Sequence, residues 1–299
     1  MLLLINYMTM VMNTENVLRY DAQYAALLRR CLERGIFKPS RSGRQHSLFG
    51  VQMSIDLSRE FPLTTLRKIS FRIAAHEMLW ILRGDDTIDY LLKNNIHIWD
   101  NFADDDGYVG HMYQWRHWES GDRVYDQLQT IVDEIREHPY SKRLVVSSWN
   151  VGALDTMSLP PCPHIFQFMV ADRTLYCHLT QRAADLVFGA PYDIVVYALL
   201  THIVAHITGL QVGTLFYNIA DAHIYDENRK LARKMLRLYN PKTPLPQLHL
   251  TEDAPMTLDD FRYEHFRISK YEPTFSQSGV VGVGPLFQAF FNSNYGKKS

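Results

Sequence analysis

Ile165-Phe166-Gln167-Phe168-Met169-Val170, then Leu175 to Thr180, then an almost unbroken apolar run over residues 194–209, is the succession that decides the fold class. The first two segments are β-rich, and Arg143-Leu144-Val145-Val146-Ser147-Ser148-Trp149 precedes them as a third. Asn150 closes the run at 143–149 and Asp172 the one at 165–170, so they read as neighbouring strands of one sheet with Leu175 to Thr180 pairing next. The third part carries Ile194, Val195, Val196, Ala198, Leu199, Leu200, Ile203, Val204 and Ile207 and stops at Gly209. It is too short, and too punctuated by His202 and His206, for a membrane span, and reads as a core helix. Those histidines lie one turn apart without an acidic ligand nearby, so they read as polar helix-face residues and not as a metal pair.

Working outward, residues 16–35 place Val17, Tyr20, Tyr24, Leu27, Leu28 and Cys31 at helical spacing until Gly35 and Pro39 break the pattern. A polar turn at Arg41 to Gly43 leads into Leu48 to Ile55, which alternates like a half-buried strand. Helical spacing resumes from Thr65 to Arg83 with Thr64 or Thr65 at the N-cap, and again over 124–137. Glu77 falls inside the longer of these helices. A lone glutamate is ordinarily a solvated surface residue, but its neighbours Met78, Leu79 and Trp80 are apolar and argue for burial. No repeat, low-complexity linker or composition shift divides the chain. The expectation is one α/β (α+β) domain over 1–299, with a start at 1–15 outside the folded part and a divergent extension at 274–299.

The 299 residues include 31 basic and 32 acidic side chains, a formal net charge of -1. That balance gives no footing for a nucleic-acid polymer or a membrane as the main partner, so a bound anion should be small and held locally. The three cysteines, Cys31, Cys162 and Cys177, show neither zinc-ligand spacing nor the even framework of a small secreted fold. A reducing, cytoplasmic setting without a metal site is expected. Met1 to Met12 is apolar, but it lacks a basic flank and a cleavage site and is too short to span a bilayer; its four methionines leave room for a later start.

Chemistry concentrates in Leu159-Pro160-Pro161-Cys162, Gln181-Arg182-Ala183-Ala184-Asp185 and Gly189-Ala190-Pro191-Tyr192-Asp193. They supply a thiol, a phosphate-binding guanidinium and a carboxylate. Prolines on both sides restrict the Cys162 backbone, which points to a rigid turn before a strand. Nucleophilicity requires thiolate, and Arg182 or Arg143 nearby would lower the thiol pKa. Taken alone, a single cysteine is more often a buried structural residue.

The order and spacing of these and further segments resemble thymidylate synthases and their pyrimidine hydroxymethylase relatives over nearly the whole chain. The segments are Ser47 to Gly50, Phe61 to Thr65, His76 to Trp80, Ile98-Trp99-Asp100, Gln114-Trp115-Arg116, Ser147 to Gly152, Leu159 to Cys162, Gln181 to Asp193 and Asp221 to Tyr225. The resemblance implies a large mixed sheet packed by helices and a homodimer formed through the sheet face. It implies that Cys162 adds to C6 of a pyrimidine nucleotide, making C5 nucleophilic toward a one-carbon unit from 5,10-methylenetetrahydrofolate, while Glu77 runs proton transfers. Arg41, Arg143 and Arg182 would hold the 5′-phosphate, with Lys142 and Arg143 reaching the partner subunit's site, and Gln181 and Ala183 would border the nucleotide. His223 and Tyr225 would bind the sugar 3′-hydroxyl; Ile98, Trp99, Asp185, Gly189 and Tyr192 would border the folate. Guanidinium groups suit phosphate because they present forked, charge-assisted donors.

Departures from the family pattern refine this. Thymidylate synthases place an asparagine where this chain has Asp193; a carboxylate instead accepts from the 4-amino group of cytosine and favours the N3-protonated ring. Lys142 and Ala183 replace an arginine and a serine at the phosphate, a change expected to shift the sugar and make room for a ribose 2′-hydroxyl. The short apolar tail that normally closes over the ligands is replaced by Gly282 to Ser299, which opens the intermediate to water. Pro163 replaces a histidine that often follows the nucleophile, and a shortened loop before Gln114 disturbs the place of Tyr113. In these features the chain is similar to cytidylate hydroxymethylases of the mildiomycin-biosynthesis type. The expected activity is hydroxymethylation of CMP or dCMP. A dCMP hydroxymethylase, a cytidylate or thymidylate methylase and a catalytically silent nucleotide- or RNA-binding relative are the alternatives.

Overall fold

The computed structural model describes residues 18–40, 43–110 and 112–276; Arg41, the start at 1–15 and the extension from 277 onward lie outside the described residues. Helix α1 (Tyr20–Arg34) buries Tyr20, Tyr24, Leu27, Leu28 and Cys31, the stripe its spacing predicts. The helix ends at Gly35, where the pattern breaks, and strand β1 (Ile36–Ser40) follows, pairing with the long β2 (Gly43–Asp56). Pro39 is tolerated there because β1 is the outermost strand of its sheet, where a missing N–H need not interrupt a ladder.

Helix α2 (Phe71–Arg83) begins later than Thr65. The Thr64 and Thr65 hydroxyls donate instead to the buried Asp21 carboxylate, at 2.8 and 2.5 Å, and the Thr65 N–H joins them at 3.0 Å. The segment before α2 is therefore a non-helical tie to α1, and Ser70 becomes the N-cap, accepting from the Ile73 N–H at 3.4 Å. At the other end Gly84 adopts φ +67°, and a Cβ there would fall 2.7 Å from the Arg116 Cβ. The glycine thus both ends α2 and lets the 116–117 segment pack against it.

Short helix α3 (Asp89–Lys93) and a hairpin of β3 (Trp118–Ser120) and β4 (Arg123–Tyr125) lead into α4 (Gln127–Glu137). Asp126 caps α4, accepting from Gln129 N–H at 2.8 Å, so the helix starts after residue 124, which belongs to β4.

The main sheet adds β5 (Val145–Ser147), β6 (Pro163–Ala171), β7 (Thr174–Asp185) and β8 (Gln211–Tyr225), in the order β1-β2-β8-β7-β6-β5. Helix α5 (Gly189–Ile207) is the crossover that makes β7 and β8 parallel; the other neighbouring pairs are antiparallel, so the sheet is mixed. Among the described residues α5 alone is long and apolar enough to cross a membrane, but 78% of its apolar window is buried inside the fold. It is the core helix. Leu175, Cys177, Leu179 and Gln181 of β7, with Leu215, Tyr217 and Ile219 of β8, make one buried face. The opposite face carries Ile165, Gln167, Met169, Tyr176, His178, Phe216 and Asn218, half-buried or exposed. Helix α6 (Arg229–Leu238) and the pair β9 (Gln247–Leu250) and β10 (Phe266–Ser269) complete the fold.

Candidate active site

The parallel ladder of β7 and β8, the start of α5 and the inner side of α2 enclose a cavity of about 410 Å³. Its wall brings together Cys162, Glu77 and Asp193, residues far apart in sequence. Gln181, Arg182, Ala183, His223 and Tyr225 line it as well, as do Ile98, Trp99, Asp185, Gly189 and Tyr192. Lys142 and Arg143 do not; both are exposed on this protomer.

Cys162 sits in the turn before β6, half-buried. Arg182 braces that turn from the neighbouring strand: Nε donates to the Pro161 carbonyl at 2.9 Å, Nη2 to the Pro160 carbonyl at 2.7 Å, and the guanidinium lies 5.7 Å from the Trp149 ring centre. Burial pushes the thiol above its ordinary pKa, Arg182 opposes the shift and Asp193 adds to it. The net direction is upward, against the expectation from the nearby arginines. Those guanidinium donors are turned to the proline carbonyls, so the cation does not offset the loss of water around the sulfur. The free site therefore holds a thiol at neutral pH. His164, on the next strand position but one, packs edge-on against Trp149 at 6.2 Å.

Glu77 is no solvated surface residue. It projects from α2 into the cavity and accepts from the Trp99 indole N–H at 2.9 Å. Burial, and then the charge of Asp193, push its pKa up to about 8, with the indole bond opposing. Asp193 faces it from the first turns of α5. Burial raises the Asp193 carboxyl to about 6, held back by a 2.7 Å hydrogen bond from Gln181 Nε2 to Oδ2. Near pH 7 the site thus carries one protonated and one ionised carboxyl, the pairing needed for acid and base work in one cavity.

At the far end His223 Nδ1 lies 3.2 Å from the Asp221 backbone carbonyl. A carbonyl only accepts, so in the neutral ring Nδ1 carries the proton and Nε2 is an acceptor. Asp221 is held by Lys38 Nζ at 2.6 Å, with Gln45 Nε2 at 3.4 Å. Burial raises that carboxyl, but its bonds from His223 and Lys38 prevail and hold it well below the carboxylate range. Ala183 lies directly beside Asp221 across the ladder. From sequence no role falls to Lys38, Gln45 or Tyr217, and Asp221 enters only as the first residue of the run to Tyr225. Asp221 adjoins the quoted His223, but nothing in one sequence shows that β1 carries Lys38 onto it.

Ile81, Ile98, Trp99, Phe102, Phe188 and Val196 make the apolar side, a surface suited to a flat heteroaromatic ring. Trp99 packs against Trp80 and Phe102 at 5.9 and 5.4 Å. Tyr192 accepts from the Ser70 N–H at 3.3 Å, joining α5 to the N-cap of α2. Tyr113 points elsewhere, donating to Glu119 at 3.3 Å and stacking on His117, while Met112 takes a place on the wall. Among the described residues no group of three or more His, Cys, Asp and Glu could hold a metal ion.

A half-buried thiol beside two carboxyls of opposite protonation is equipment for covalent catalysis coupled to proton transfer on a small molecule. Residues 22–281 match the family model described as thymidylate synthase, and the chain belongs to that family. It is accordingly a one-carbon transferase that acts on a pyrimidine nucleotide, with methylenetetrahydrofolate as co-substrate.

Proposed function

We propose that the protein is a cytidylate 5-hydroxymethyltransferase, which converts CMP (or dCMP), methylenetetrahydrofolate and water to the 5-hydroxymethyl nucleotide and tetrahydrofolate. The observation that carries this is Asp193: a buried carboxylate on the cavity wall, its Oδ2 tied to Gln181. A cytosine placed there offers the 4-amino group as donor, whereas uracil offers a carbonyl that an ionised carboxylate repels. As the Cys162 S–H bond breaks and the sulfur bonds to C6, electron density moves toward N3, which takes up the proton released, and Asp193 stabilises it there. Glu77, protonated in the resting site, gives up its proton and takes one back as C5 and the water that completes the product react.

The apolar wall around Trp99 and Ile98 would hold the folate, which supplies the one-carbon unit. His223 Nε2 would accept from a sugar hydroxyl. The small Ala183 beside Asp221 supports room for a ribose 2′-hydroxyl. The half-open outer face of the sheet, with Ile165, Met169, Tyr176 and Phe216, supports a homodimer, in which the exposed Lys142 and Arg143 reach the partner's phosphate site while Arg41 and Arg182 serve the phosphate of their own protomer. On the same reading the protein belongs in the cytoplasm, a reducing setting that its cysteine usage suits.

Incubation with CMP, dCMP and dUMP, each with the folate, followed by mass analysis, tests the reading. The expected product is CMP plus one CH2O unit, with tetrahydrofolate. Thymidylate with dihydrofolate would overturn both the base and the water assignments, and an absence of tritium release from 5-labelled CMP would favour a silent binder.

A further inference from the structure

Tyr217 is an inward-facing aromatic of strand β8. Its ring is fully buried on β8, yet its hydroxyl donates to Gln181 Oε1 at 2.5 Å. The other end of that amide is occupied too. Gln181 Nε2 donates to the Ala183 carbonyl at 2.9 Å and to Asp193 Oδ2 at 2.7 Å. A backbone carbonyl can only accept, so turning the amide over would set Oε1 against it. Gln181 itself is 1% exposed, and water does not compete for these bonds.

We infer that Tyr217 is a positioning residue for base selection: its hydroxyl locks the Gln181 amide so that an N–H, never the carbonyl, meets Asp193, leaving Asp193 Oδ1 to face the base. The inference rests on the role of Asp193 proposed above. Donation into Oε1 polarises the amide and strengthens the N–H that Asp193 receives. Burial pushes the Tyr217 phenol well above its ordinary range, which keeps it a donor throughout the working pH. Glu77 from α2, Cys162 before β6, Tyr197 on α5 and Tyr217 itself are the titratable groups coupled to Asp193. None of them is a cation, so the Gln181 N–H is what favours the ionised carboxylate against burial. Removing the Tyr217 hydroxyl would leave Oε1 a buried acceptor without its partner and make the N–H that meets Asp193 a weaker donor.

The test is an NMR titration of the ligand-free full chain carrying carbon-13 in its aspartate carboxyls, with the Asp193 signal assigned by its loss in Asp193→Asn. In Tyr217→Phe the Asp193 midpoint should rise by about one pH unit, a roughly tenfold gain in proton affinity. In protein bearing 3,5-difluorotyrosine at position 217, a stronger donor of nearly the same shape, it should fall. A merely structural ring would not give shifts of opposite sign. Should Tyr217→Phe not fold, the fluorinated protein decides alone. A midpoint unmoved by the substitutions overturns the inference. Because the titration needs no substrate, an inactive protein with the expected shifts would overturn the functional reading and spare this one. An active protein without them would do the reverse.

Discussion

The two carboxyls set a pH profile that one substitution should reshape in a defined way. Productive enzyme needs Asp193 ionised, from about 6 upward, and Glu77 protonated, up to about 8. Those values put roughly nine tenths of each group in the required form at pH 7, about four fifths jointly, and about one tenth of one or the other at pH 5 or pH 9. The specificity constant for CMP should therefore trace a bell with its maximum near pH 7, falling about tenfold per unit beyond either limb. Asp193→Asn removes the acidic limb. It also removes the negative charge that, after burial, raises Glu77, so the alkaline limb should move below 8. Tritium release from 5-labelled nucleotide, followed across the pH range for both proteins with CMP and dUMP, reads both limbs. A flat wild-type profile, or an alkaline limb in the variant that stays where it was, refutes the reasoning.

Trp99→Phe deletes the indole N–H that opposes the Glu77 shift, so the alkaline limb should move up; a limb that moves down would show that the bond does not act on the carboxylate. Glu77→Gln should abolish tritium release yet stabilise the fold at alkaline pH. A carboxyl whose folded pKa is raised costs stability as pH climbs from its unfolded value to its folded one, so the gain in melting temperature should be present at about pH 8 and vanish near pH 4, and a pH-independent gain would contradict it. Thr65→Val removes a donor to the buried Asp21 carboxylate, and urea denaturation should show a loss of about 1–3 kcal/mol; no loss would mean that the tie between α1 and the α2 approach is not a stabilising one.

Much of the fold was legible because its signals are local. The apolar run of α5, the alternation in β2 and the β-rich runs of β5 to β7 each follow from periodicity. Boundaries failed where a distant partner intervened: Thr64 and Thr65 look like N-caps, but Asp21, on a different helix, claims their hydroxyls. Gly35 does end α1, but nothing local shows that the chain beyond it, Pro39 included, pairs as an outer strand. The Cys162 environment was misjudged because sequence shows that arginines are near without showing that Arg182 is turned to proline carbonyls. Tyr217 was invisible for a similar reason, since an inward aromatic in a strand gives no hint of what its hydroxyl meets.

The central claim is that Asp193 reads the amino edge of a cytosine whose opposite side faces the Cys162 sulfur. A crystal structure of the protein with CMP tests it most directly. The account predicts an Asp193 carboxylate oxygen within hydrogen-bond distance of the 4-amino group and Cys162 Sγ over C6. Asp193 turned away from that edge, with another side chain reading it, would contradict the account.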